Sequence, residues 1–387
     1  MLAVLARTWA GHVIVLGDRA SIEVGAGPDM CAGWVKPGFE LVKEGFGEVV
    51  RNQPGTGAAV AVWLDGRWLV DLWGGAADAS GVRAWGPDSI VQPYSVTKPF
   101  VAVCALRLVE RGALDLDAAV QHYWPEFTAR ATVRHLLSHQ AGVVALDAPA
   151  PTDLFFDWDA MCGRLAAQPP LWEPGTAHGE SALFYGHLVG EIVRRIDGRS
   201  IGGFLRDEVC APLGLDFAIG LGSTDRARAV EITGLDELRV PAADEPELHR
   251  RAIANPPGAR DGAVVNSALW RAAEIPAVNG HGTARAIAGF YAALLQGRAL
   301  APTLLAEATS VHASGIDQVF GHDNAFGLGF GVDANGFGMG GLGGSYGGAS
   351  RDGYTIAFVT GSMGTHDRAT SVENALRTCL GLPELID

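Results

Sequence analysis

The stretch with the most chemistry in it is Pro93-Tyr94-Ser95-Val96-Thr97-Lys98-Pro99-Phe100. On a helix, residues three apart share a face, so Lys98 leans over Ser95. A serine hydroxyl is a poor nucleophile at its ordinary pKa and needs a base beside it. A lysine desolvated by apolar neighbours, here Phe100, Val101 and Val103, has its pKa depressed enough to serve. A serine at the start of a helix also places developing negative charge near free backbone N–H groups. The spacing therefore suits nucleophilic acyl transfer through Ser95. Its bland alternative is a helix-capping serine followed by an exposed lysine. His135 and His139 lie one helical turn apart, but no Glu completes a His-Glu-x-x-His arrangement. No metal and no cofactor are expected.

The elements around this stretch follow from pattern. A helix from about Val96 to Arg111 carries it, with Ser95 as N-cap, Pro99 in the first turn and Gly112 as terminator. Residues 37–52 show helical periodicity. Ala58–Leu64 and Arg67–Trp73 flank Asp65-Gly66, the strongest short hairpin signal. Helical patterns broken by Pro and Gly fill the middle at Thr132–Leu137, Trp158–Ala167, Leu188–Ile196 and Ile201–Val209, and Ala284–Leu295 follows. Strand patterns return at Phe326–Val332 and Tyr354–Thr360, and a last helix covers about Thr370–Leu380. Strands at both ends with helices between them predict one sheet built from both termini.

Composition bounds the rest. The chain has 387 residues and 48% hydrophobic content, enough for a large core and too apolar for disorder. Its net charge of −14 argues against a nucleic-acid groove or a polybasic membrane foot. The expected partner is a small-molecule substrate, with no nucleic acid and no membrane; oligomeric state is not indicated. Five dispersed cysteines form no CxxC pair and predict reduced thiols and a cytoplasmic setting. A signal peptide at Met1–Gly17 is a minor alternative. Glycine is in excess, and 11 of the 22 residues from Gly327 to Gly348 are glycine, where average usage gives about one or two.

The chain resembles the serine β-lactamase and penicillin-binding-protein superfamily, closest to class C β-lactamases and family VIII carboxylesterases. The resemblance is carried by Leu69–Asp78, Tyr94–Lys98, Glu110–Asp117, Thr132–Val143, Trp172–Glu191, Asn279–Thr283 and Phe337–Ser345, in the family's order. It implies an α+β fold: an antiparallel sheet flanked by helices, with an inserted, mainly helical domain and the active site between them. The expected division is an extension at 1–36, a sheet domain at 37–115 and 275–387, and a helical domain at 116–274. It also implies acyl-enzyme chemistry on Ser95 with Lys98 as partner. Tyr94 and His281 are further candidates for the pocket wall.

Two positions depart from the family pattern. The second motif, Pro-Gly-Thr-x-His-Gly-Tyr in the esterase branch, reads Pro174-Gly175-Thr176-Ala177-His178-Gly179-Glu180, so the proton-shuttling tyrosine is replaced by Glu180. The third motif, Lys/His-x-Gly, reads Met339-Gly340-Gly341. Its oxyanion role uses backbone, so Leu342 can still pair with the Ser95 N–H beside Gly341. A carboxylate near Lys98 can act as general base, yet it also holds the lysine as ammonium. Three readings follow: a serine esterase, amidase or acyltransferase; a non-hydrolytic enzyme with Glu180 as acid/base; or a ligand-binding protein without turnover. Efficient β-lactam hydrolysis is not expected, because the substrate carboxylate would miss its third-motif cation.

Overall fold

A computed structural model describes residues 31–238 and 245–385. The first 30 residues, with the signal-peptide alternative, lie outside the described residues, as do residues 239–244 of the acid-rich stretch Asp236–His249. Among the described residues eleven strands are formed: β1 Cys31–Val35, β2 Ala58–Leu64, β3 Arg67–Gly74, β4 Phe217–Ala218, β5 His281–Gly282, β6 Ala313–Ile316, β7 Asp323–Phe326, β8 Gly331–Val332, β9 Gly336–Gly340, β10 Tyr346–Ser350 and β11 Thr355–Thr360. Nine of them make one sheet in the order β1-β3-β2-β11-β10-β9-β8-β7-β6, each neighbouring pair antiparallel. The α+β architecture is the expected one: terminal strands β2 and β11 pair in the middle of the sheet across the helical segment.

Both faces of that sheet are covered, and the strand sequences show why. Along β2 and β11, Val60, Val62, Ile356 and Phe358 point to one side. There they meet Val42 and Phe46 of the helix Glu40–Asn52, and Val372 and Leu376 of the helix Asp367–Cys379. The alternate residues, Ala59, Ala61, Ala357 and Val359, point to the other side and join the larger core. The period of two is the ordinary strand alternation. Small side chains here let the helix Ala284–Leu295 approach closely; a Cβ on Gly347 would lie 2.5 Å from Ile287 Cγ2. The helix Lys98–Glu110 is buried almost all round, as expected of a helix with apolar residues on every face. Phe100 stacks between Phe217 and Phe290, with centroids 3.8 and 4.0 Å away.

Three expectations change and one region, the glycine-rich stretch, is sharpened. Residues 31–35 are not part of an extension: β1 pairs with β3 from Cys31↔Gly74 to Val35↔Val70. The strand expected at Phe326–Val332 is split into β7 and β8, because Gly329 takes φ +90 and turns the chain. The glycine-rich stretch holds two full strands, β9 and β10. Ser95 does not cap a helix; it lies inside a 3₁₀ turn, Tyr94–Thr97, that leads into Lys98–Glu110, and its side chain makes no cap bond.

Candidate active site

The 3₁₀ turn puts Ser95 and Lys98 three residues apart in a tight winding, which brings their side chains together. Lys98 Nζ donates to Ser95 Oγ at 2.6 Å. The lysine side chain is wholly buried, and Nζ also donates to the Ala277 carbonyl at 3.4 Å. Tyr94, at φ +49, holds the approach to the turn in the left-handed region.

Glu180 completes the group. Its Oε1 lies 2.9 Å from Lys98 Nζ and accepts from Ser95 Oγ at 3.3 Å. It faces the serine and the lysine, with 16% of its side chain exposed. The extended segment carrying it is pinned from behind. Buried Asp317 accepts from the Glu180 N–H at 2.9 Å through Oδ2, and its Oδ1 takes the N–H groups of Val319 and Phe320. Gly179 N donates to His139 O, and Ser181 N to His139 Nδ1. His178 turns away, with Nε2 2.7 Å from Asn324 Oδ1, and so is a packing residue.

The electrostatics of the trio are opposed. Burial pulls the Lys98 pKa below its ordinary value, and the Glu180 carboxylate pulls it back up. Three acceptors around Nζ match the three donors of an ammonium. With the lysine charged, the carboxylate is the group placed to take the serine proton.

The turn after β9 forms the opposite wall. Gly341 N donates to Ser345 O at 2.7 Å, and Gly343 and Gly344 take φ +88 and +95. A Cβ on Gly341 would lie 2.0 Å from Pro93 O and 3.5 Å from Ser95 N, so glycine is required for the turn to reach the nucleophile. Among the described residues, neither the Ser95 N–H nor the Leu342 N–H has an acceptor, which leaves both as donors for an oxyanion. Met339, buried on β9, contributes an apolar wall.

These groups line a cleft of about 730 Å³. Ser95, Glu180, Tyr94, Met339, Gly341 and Leu342 all border it. His281 does not, which corrects the expectation: it sits in β5, buried, with Nδ1 2.8 Å from Asn279 O, and burial pushes its pKa down to about 3. Tyr185, inside the helix Tyr185–Asp197, is core and bonds Leu137 O. Three side chains at or behind the cleft had no signal in the sequence. Asp317 acts on a residue 137 positions away. His366 lies against Gly340, its Nε2 2.8 Å from where a Cβ would stand, and burial lowers its pKa. Arg260 lines the cleft from a Pro-Pro-Gly loop.

Fold and site together define a serine hydrolase of the β-lactamase-like type. The β-lactamase family profile matches residues 46–378, and the chain belongs to that family. It is 34% identical to the Mycobacterium tuberculosis esterase/β-lactamase LipL over 299 residues, covering 72% of this chain and 68% of LipL. Against the Burkholderia gladioli esterase EstB it is 32% identical over 191 residues, 44% of this chain and 48% of EstB. The crystal structure of a family VIII carboxylesterase superposes with a TM-score of 0.83 at 33% identity, covering 90% of this chain and all of that one.

Proposed function

We propose that this protein is an esterase that works through an acyl-enzyme on Ser95, with Glu180 in the place of the family tyrosine. The observation that carries the reading is the trio itself: Ser95 Oγ within 2.6 Å of Lys98 Nζ and 3.3 Å of Glu180 Oε1. Ser95 Oγ attacks the ester carbonyl carbon while its proton passes to Glu180. The Lys98 ammonium stays beside the oxygen and offsets the charge developing on it. The carbonyl oxygen becomes an oxyanion between the N–H groups of Ser95 and Leu342. Collapse breaks the bond to the alkoxide, which takes the proton from Glu180 and leaves as an alcohol. A water then attacks the acyl-enzyme carbonyl while Glu180 accepts its proton; collapse breaks the bond to Ser95 Oγ, which takes that proton back from Glu180 as the acid leaves. An alcohol or amine in place of that water gives acyl transfer.

The names of LipL, EstB and the carboxylesterase support an ester as substrate. The orientation of Glu180 toward Ser95 argues against a binding protein without turnover. Five free cysteines support a reducing compartment, with the cytoplasm as the proposed setting; among the described residues no helix is long and apolar enough to cross a membrane. The test is intact-mass analysis after a fluorophosphonate probe, beside hydrolysis of 4-nitrophenyl esters. One adduct on Ser95, absent in Ser95→Ala together with turnover, is the expected result. No adduct with any of several probes would overturn the reading. Product partition with added methanol measures hydrolysis against transfer.

A further inference from the structure

Arg260 is unexplained by the chemistry above. Its Nε and Nη1 are buried, and among the described residues neither has a hydrogen-bond partner. Buried guanidinium nitrogens are rarely left so, because desolvation without a partner is costly. Arg260 lines the same cleft as Ser95, and among the described residues that line the cleft it is the only arginine or lysine.

Its position is built, not incidental. The Tyr94 hydroxyl donates to Ala259 O at 3.1 Å. The residue before the nucleophile thus holds the residue before Arg260. Further back, Asn255 accepts from Ala150 N at 2.8 Å and donates to Leu146 O and Ala148 O. Just after it, Asp261 N donates to Gly258 O, and the Asp261 side chain takes the Ala263 N–H. The loop is therefore anchored on both sides of the arginine.

Among the described residues, the charges around it are few. Glu245 attracts Arg260 but forms no ion pair with it; its Oε2 lies 3.3 Å from His249 Nε2. Asp323 and Asp333 also border the cleft, and they repel an anion. Among the described lining residues, Arg260 is thus the fixed cation that can attract an anion. Met339 leaves the third-motif position without a cation, and Arg260 enters from a different element altogether.

We propose that Arg260 binds a carboxylate on the substrate, so that the preferred substrates are small esters carrying a free carboxylate away from the scissile bond. The planar guanidinium presents paired N–H donors that match a carboxylate. The inference rests on the esterase reading of the same cleft.

The test uses a matched pair, 4-nitrophenyl hydrogen adipate and methyl 4-nitrophenyl adipate, which differ in that one charge. The wild-type enzyme is expected to prefer the acid by about 10- to 100-fold in kcat/KM, the range of a hydrogen bond to a charged group. Arg260→Gln should collapse that ratio toward one, chiefly through KM for the acid, and Arg260→Lys should restore part of it. Added salt should raise KM for the acid more than for the methyl ester. Equal handling of the two esters by wild type would overturn the inference while leaving the esterase reading intact. An equal loss on both esters in Arg260→Gln, with the ratio kept, would also overturn it and make Arg260 a structural counter-ion to Glu245. Turnover of neither ester, with no Ser95 adduct, would sink both readings.

Discussion

Glu180→Gln separates the two jobs of that carboxylate. The amide keeps the shape and one acceptor oxygen but removes the charge. At 2.9 Å between Lys98 Nζ and Glu180 Oε1, unit charges attract by on the order of 6 kcal/mol at an effective dielectric of about 20. An unpaired buried charge costs roughly 3–5 kcal/mol of stability. Lys98 escapes that cost only as pH rises and it loses its proton, which burial favours and Glu180 opposes. At neutral pH the variant should therefore lose about 10²–10⁴ in kcat/KM, the usual worth of a general base. Part of the rate should return as pH rises. The neutral amine, 2.6 Å from Ser95 Oγ, then takes over as base.

Stability should move with it. The folded pKa of Lys98 lies below its unfolded value, so between the two the unfolded chain holds the extra proton and stability rises with pH. The window is wider in Glu180→Gln than in wild type, since the opposing attraction is gone. The stability gap between them should narrow from pH 7 to pH 10. The double variant Lys98→Met/Glu180→Gln removes both groups. It should match or exceed Glu180→Gln in stability, lose activity at every pH, and show no narrowing. Urea unfolding and 4-nitrophenyl ester hydrolysis across that range measure both. Wild-type kcat/KM in Glu180→Gln at pH 7 would refute Glu180 as the acceptor of the serine proton. A stability gap independent of pH would refute the coupling.

Further outcomes test other parts of the site. Leu342→Pro removes the backbone N–H and should cost about 10²–10³ in kcat, as loss of an oxyanion donor does. Leu342→Ala should stay close to wild type, and equal losses in the two would refute a backbone role. Met339→Lys should lower kcat/KM rather than raise it, because a second cation in the cleft competes with Lys98 for Glu180; a gain in ester hydrolysis would refute that. His139, His187 and His281 are each pushed by burial to about 3. Neutral in the fold and protonated when unfolded, each removes roughly 1.4 kcal/mol per pH unit as pH falls below its unfolded pKa of about 6.5 and toward 3. His187, with both ring nitrogens unpartnered among the described residues, is the cleanest probe. His187→Phe should flatten the loss of stability between pH 6 and about pH 4 in urea unfolding by about one such increment, and an unchanged slope would reject the assignment.

The parts of this molecule that were legible in its sequence are those whose cause is local. Asp65-Gly66 makes a hairpin whatever surrounds it, and Ser95 and Lys98 meet because three residues of tight winding bring them together. The bounds of strands β9 and β10 were not legible, because glycine carries no strand preference. They exist because the neighbouring backbone demands it: a Cβ on Gly336 would lie 2.0 Å from Ala349 O, and one on Gly338 2.5 Å from Gly347 O. The glycine excess is therefore a ladder of close backbone contacts that ends in the turn beside Ser95. Glu180 was visible as a departure from a pattern, but its aim is set by Asp317, far along the chain. The missing third-motif cation misled in the same way. Read along the motif, Met339 says that the cleft has lost its positive charge. In space, Arg260 brings one in through a loop tied to Tyr94. The two departures also fit one electrostatic arrangement: a carboxylate next to the nucleophile adds a negative charge that Lys98 neutralises, and a cation on β9 would compete for it. A cation held on the Arg260 loop, whose backbone Tyr94 anchors, leaves Glu180 to Lys98 and Ser95.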